Sequence, residues 1–176
     1  MSIELSATLN EGLVFIANHL EDEIAGKPAV LHSTRLMFML WNYGYSDQTL
    51  LLSALLHDVL EDSARITSDH LINRFGRKTA ETVQAVSYDK NLPEGIERID
   101  ELFFRTIKAG SQACLVKCVD TLDNSYYIPL CHDPVKELYL VNKMFKFLEM
   151  SRSQIGAEKP WQDLWEQYED HRARLS

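Results

Sequence analysis

Almost throughout the chain, apolar residues recur three and four positions apart, and no alternating pattern lasts more than a few residues. That periodicity, with only seven glycines and five prolines to interrupt it, predicts an all-α fold of packed amphipathic helices. At 176 residues the expectation is one domain spanning 1–176, with 155–176 as an appended C-terminal helix.

Start and stop signals divide the pattern. A first helix is expected near Ile3 to Leu20, with Leu5, Leu9, Leu13, Ile16 and Leu20 on one stripe. A polar connection, Glu21 to Lys27, leads to Pro28, which suits the opening turn of a second helix ending at Gly44. Ser46 or Asp47 caps a third helix through Leu60, and Thr67 or Ser68 a fourth that stops at Gly76. The fifth covers Lys78 to Val86. A loop, Tyr88 to Pro93, precedes a sixth helix to Lys108, and the seventh runs from Ser111 into the Tyr126 region. Asp133-Pro134 opens an eighth to about Met150, and Lys159-Pro160 a last one. On that last helix Trp161 and Trp165 lie one turn apart. They are expected to pack on the same chain, the alternative being an interface between copies in a homo-oligomer.

The most informative stretch is TLLLSALLHDVLED, Thr49 to Asp62. Its first half is apolar on every side, as in a helix through the centre of a domain. Four ionisable groups then arrive in six positions, His57, Asp58, Glu61 and Asp62, and a continuous helix gathers them around one end of a buried rod. Adjacent buried carboxylates repel one another, so a positive partner is required, and His with Asp is a donor set that suits a divalent metal. A His-Asp dipeptide alone is weak evidence, because it can equally cap an exposed helix end. A second one, His132-Asp133, stands before a proline and reads as an ordinary cap.

What lifts the first pair is its company. His32 sits in AVLHSTRLMFML on the core face made by Leu31, Leu36 and Leu40, with Arg35 beside it. Asp120 sits in ACLVKCVDTLDNSYY after Leu115, Val116 and Val119, and Asn124 shares its face. Two further helices thus each raise a ligand-type side chain from an apolar background.

Charge limits the partners. Eighteen basic residues against twenty-six acidic give a formal charge of −8, which disfavours nucleic acid and anionic membrane surfaces. A small anionic substrate stays compatible if a metal or local basic pocket overrides the global field. MSIELSATLNEGL has no basic stretch followed by an apolar one, and no long apolar run occurs, so neither a signal peptide nor a membrane span is expected. A cytoplasmic location follows. Cys114, Cys118 and Cys131 then read as reduced thiols, the first two packed in the core.

The order His, then His-Asp with Glu-Asp three residues on, then a distant Asp followed by Asn, resembles the HD superfamily of metal-dependent phosphohydrolases. More narrowly it is similar to the hydrolase domains of RelA/SpoT homologues, over roughly residues 10 to 130. The segments that carry the likeness are GKPAVLHS, ALLHDVLED, RFGRKTAETVQAVSYDKNLP and VKCVDTLDN, and the Asp-Lys-x-Leu-Pro loop looks most like the small single-domain metazoan members. The resemblance implies an all-α HD bundle and one divalent metal, most often Mn2+, on His32, His57, Asp58 and Asp120. It further implies that Glu61 and Asp62 position and deprotonate the attacking water, and that Asn124 contacts the nucleoside. The reaction it implies is release of pyrophosphate from the 3′ position of guanosine tetra- or pentaphosphate. Lys27, Arg35 and Lys90 are the candidate phosphate-binding cations, with Arg98 and Lys136 behind them. Glu21-Asp22-Glu23 and Glu94 stand where the family is basic, which keeps open a phosphatase acting on a less anionic nucleotide or dinucleotide. A non-catalytic metal- and nucleotide-binding domain is the third alternative, although such a domain has no need of Glu61 and Asp62.

Overall fold

In a computed structural model, residues 2–20, 23–24 and 27–175 are described, without the side chains of 23, 24 and 27. Among them are ten α-helices: α1 Ile3–His19, α2 Ala29–Asn42, α3 Gln48–Leu56, α4 Val59–Asp62, α5 Ser68–Phe75, α6 Arg77–Val86, α7 Ile96–Ala109, α8 Ser111–Ser125, α9 Pro134–Ile155 and α10 Lys159–Leu175. The all-α expectation holds. The additions among the described residues are an antiparallel pair of two-residue strands, β1 Glu23–Ile24 and β2 Lys27–Pro28, in the connection before α2, and a 3-10 turn, Ile128–Leu130, between α8 and α9.

Helix α3 is the hub. All seven residues from Leu50 to Leu56 are buried, and α3 packs against α1, α2, α6 and α8 at once. A helix apolar on every face has nowhere else to go. Its start is fixed by Asp47, whose carboxylate accepts from the Leu50 N–H. Helix α8 is the second buried rod, with eleven of its fifteen residues inaccessible, and it carries Asp120 and Asp123 into the interior.

Close approach of α1 to α3 depends on Gly12. A Cβ there would lie 2.8 Å from Leu55 Cδ2 and 3.1 Å from Leu52 Cδ2, both on fully packed side chains. Gly12→Val is expected to lower the unfolding free energy by about 2 kcal/mol, since overpacking outweighs the small gain in helix propensity. A shifted urea midpoint with an unchanged slope is the check.

Several boundaries differ from the sequence reading. The third helix does not run through Leu60 but breaks after Leu56, and His57 and Asp58 form the turn into α4. Side chains supply the reason. His57 Nδ1 donates to the Ala54 carbonyl at 3.0 Å, and the Ser87 hydroxyl donates to the His57 carbonyl at 3.2 Å, so both carbonyls meet groups outside the helical ladder. Pro28 stands just before α2 and not inside its first turn, and α9 extends past Met150 to Ile155. Asp133 caps α9 through the Val135 and Lys136 N–H groups, as expected of the second His-Asp pair.

The tryptophan stripe packs on its own chain. Trp161 is buried and its indole N–H reaches the Leu148 carbonyl and Ser151 Oγ of α9, while Trp165 stacks on it at 5.4 Å between ring centroids. Cys114 and Cys118 are fully buried and free, and Cys131 is also free. Among the described residues no helix is long and apolar enough to cross a membrane.

Candidate metal centre

Three elements converge at the α3–α4 break. Helix α2 brings His32, the break itself brings His57 and Asp58, and α8 brings Asp120. Ligand atoms of His32, His57 and Asp58 all lie within 4.8 Å of one another. His57 Nε2 is 2.9 Å and His32 Nε2 3.7 Å from Asp58 Oδ2, and Asp120 Oδ1 is 3.3 Å from His32 Nε2 and 3.8 Å from His57 Nε2. His57 and Asp58, neighbours at the break that both keep right-handed helical dihedrals, bring Nε2 and Oδ2 to the same point.

Outer partners hold both imidazoles in the ligating tautomer. His32 Nδ1 donates to Asp123 Oδ2 at 2.7 Å, and His57 Nδ1 to the Ala54 carbonyl. Both acceptors lack a proton, so each Nδ1 carries one, and Nε2 is the nitrogen turned into the cluster and able to ligate once a metal displaces its proton. Buried His57 Nε2 makes no hydrogen bond despite its nearness to Asp58. That is the donor set expected around a cation: atoms bonded to one ion at about 2.1 Å sit about 3 to 3.4 Å apart, close to the spacings here. The residues therefore fit a single divalent metal.

The electrostatics point the same way. Burial alone would lower the His32 pKa, but Asp120 and Asp123 outweigh it and hold it at about 9. His57 is likewise raised, Asp58 overcoming the cost of burial. Burial would raise Asp120, yet Lys117 and the two histidines keep it well below the carboxylate range. The carboxylates thus draw positive charge onto the imidazoles, and a divalent ion supplies that charge in place of the protons. Burial and the Asp58 carboxylate push Glu61 up, and burial, Asp58 and Glu61 push Asp62 to about 7.

A cavity of about 170 Å³ opens onto the cluster, lined by His32, Asp58, Asp120, Glu61, Asp62 and Asn124 together with Tyr88, Lys117 and Lys143. A second cleft of about 610 Å³ adjoins it between α8 and α9 and shares Lys117, Asp120, Asn124 and Lys143. Glu61 is fixed by the Tyr88 N–H, which donates to its Oε1 at 2.8 Å, and the Asn124 amide donates to Asp120 Oδ1 at 2.6 Å.

The candidate cations fare differently. Arg35 is not in this cavity: its guanidinium forks onto Asp123 at 2.7 and 2.8 Å, so its charge is committed one step behind His32. Lys90 is exposed on its loop, outside the cavity lining, though its charge acts on Asp62. Lys136 lines the second cleft. The Lys27 side chain and residues Glu21 and Asp22 lie outside the described residues.

Four residues at the centre were not singled out from the sequence: Asp123, Lys117, Tyr88 and Lys143. Lys117, 6 % exposed, bonds Asp120 Oδ2 at 2.8 Å. A lysine inside the apolar run ACLV-K-CV, three residues before an acid, is a signal that could have found it.

No family-wide sequence profile matches the chain. A curated relative, the guanosine-3′,5′-bis(diphosphate) 3′-pyrophosphohydrolase MESH1 of Danio rerio, is 33% identical over 129 residues, covering 70% of this chain and 71% of that protein. Among solved structures, a metazoan orthologue of SpoT described as hydrolysing ppGpp superposes with a TM-score of 0.79 at 22% identity, over 97% of this chain and 96% of that one. The lmo0812 protein of Listeria monocytogenes EGD-e superposes with a TM-score of 0.69 at 18% identity, over 84% and 99%. The two structures share its fold, the zebrafish protein shares its sequence over most of both lengths, and on that sequence likeness the chain belongs to the MESH1 family of HD-type hydrolases.

Proposed function

We propose that the protein is a metal-dependent phosphohydrolase that releases pyrophosphate from the 3′ position of guanosine tetra- or pentaphosphate, with manganese as the metal and the cytoplasm as its location. The observation that carries the reading is the convergence of two imidazole Nε2 atoms and two carboxylates beside a cavity that also holds Glu61 and Asp62. Family membership supplies the substrate class. The mixed imidazole and carboxylate donors suit manganese, and free thiols suit a reducing compartment.

His32, His57, Asp58 and Asp120 would hold the ion, which when bound polarises a phosphoryl oxygen and lowers the pKa of water. Glu61, anchored by the Tyr88 N–H, orients the attacking water from the cavity wall. Asp62, titrating near neutrality, takes its proton and can return it to the leaving oxygen. Asn124 spans both cavities, where it can meet the nucleoside while its amide steadies Asp120. Arg35 serves as a positioning residue, holding Asp123 against His32.

Glu61→Gln keeps the size and the Tyr88 contact but removes the charge. The expected result is full metal content with kcat lowered about 10²- to 10⁴-fold. Product analysis on the parent tests the reaction itself: pyrophosphate from the 3′ position is expected. Exposed Glu94 and the acidic run at 21–23 favour a second reading, a phosphatase for a less anionic nucleotide. Release of orthophosphate from a nucleoside monophosphate, with guanosine tetraphosphate left intact, would decide for it.

A further inference from the structure

Tyr88, in the loop after α6, gathers three cations. The Arg98 guanidinium lies 4.7 Å from its ring centroid, Lys117 Nζ 5.6 Å and Lys143 Nζ 5.4 Å, and Lys143 also donates to the Tyr88 hydroxyl at 2.6 Å. Of the three, Lys117 is spent on Asp120. Neither Arg98 nor Lys143 pairs with a carboxylate among the described residues, and Arg98 Nε is buried without a hydrogen-bond partner. Of the three cations around Tyr88, Lys117 and Lys143 line the cavity at the metal cluster, in a protein whose net charge is −8.

Only four residues line both the small cavity at the metal cluster and the adjoining cleft: Lys117, Asp120, Asn124 and Lys143. A substrate that places one phosphoryl group at the metal and its nucleoside in the larger cleft must pass all four. Asp120 faces the histidines, the Lys117 ammonium and the Asn124 amide both bond Asp120, and Lys143 remains. Lys143 is half-buried with one of its three donors given to the Tyr88 hydroxyl, so two remain for an anion in the cleft.

Resting on the proposed function, we infer that Lys143, held by the Tyr88 hydroxyl, is the phosphate-binding cation for the substrate group lying away from the metal. It sets a preference for nucleotides phosphorylated at both ends of the ribose. Tyr88 is a positioning residue twice over, through its hydroxyl to Lys143 and its N–H to Glu61.

The test is binding of guanosine tetraphosphate to the full chain by calorimetry, with calcium replacing manganese so that ligand is not consumed, alongside separate turnover assays with manganese. Lys143→Met is expected to bind about 30-fold more weakly, Lys143→Arg close to the parent, and Tyr88→Phe about fivefold more weakly. With guanosine 3′-diphosphate, which lacks the 5′ phosphates, parent and Lys143→Met should bind alike. Equal affinity of parent and Lys143→Met for guanosine tetraphosphate overturns the inference, as does an equal loss on both ligands. A parent that binds with this pattern but releases no pyrophosphate overturns the proposed reaction and leaves the Lys143 assignment standing. A parent that does not bind at all overturns both.

Discussion

Asp58→Ala is expected to abolish hydrolysis while leaving the helical fold intact. Asp58 Oδ2 lies 2.9 and 3.7 Å from the two imidazole nitrogens, and its side chain, 26% exposed, faces the cavity. Removing it leaves three donors. Losing an outer partner of a metal ligand costs about 10- to 100-fold in affinity or activity, so losing a ligand should exceed that. Manganese measured after dialysis should fall from about one equivalent to about a tenth or less, and kcat/KM by on the order of 10⁴. His132→Ala, in the other His-Asp pair, is the matched control. It lies in the turn before α9 and should change neither quantity.

The largest effect on stability is expected from Lys117→Met. The Lys117 ammonium and the Asp120 carboxylate meet at 2.8 Å with side chains 7% exposed each, so the pair is desolvated on both sides. Burial would lower the lysine pKa, but Asp120 and Glu61 outweigh it and raise it, so the charge persists at every working pH. Methionine keeps the length and loses the charge, leaving the buried Asp120 with only the two imidazoles as positive partners. Breaking a buried pair in this way costs about 3–5 kcal/mol. For a chain of this size that corresponds to a melting point about 10 °C lower in metal-free protein. A ligand at a hundred times its dissociation constant adds about 2.7 kcal/mol to either protein, and manganese should bind Lys117→Met the more tightly because Asp120 no longer shares its charge with the lysine ammonium. A larger manganese-induced rise in Tm for Lys117→Met than for the parent supports the account. Equal melting points for the two metal-free proteins would contradict it.

Local rules made most of the helices legible. Asp47 and Asp133 cap where their side-chain chemistry predicts, and Gly44, Gly76 and Gly110 end helices with φ of 93°, 85° and 100°. His32, Asp58 and Asp120 were visible as ligand-type groups in apolar surroundings, a contrast that needs no knowledge of the fold. The α3–α4 break was not, because the apolar run continues across it and its cause includes Ser87, thirty residues away. Arg35 lies one turn from His32 along α2, but its commitment to Asp123 spans 88 residues and leaves no local trace. Lys143 reads as an ordinary polar position on α9, and only the fold brings it to Tyr88. The proposed ligands stand out by being buried and polar, whereas the cation proposed to meet the substrate looks like surface in the sequence.

The centre therefore constrains the reaction more tightly than the substrate, and its most direct test is crystallographic. Diffraction data from crystals soaked in manganese, collected at the manganese absorption edge, should give one anomalous peak within bonding distance of His32 Nε2, His57 Nε2, Asp58 and Asp120. No peak there, or a peak bonded to other residues while this cluster stays metal-free, would contradict the account.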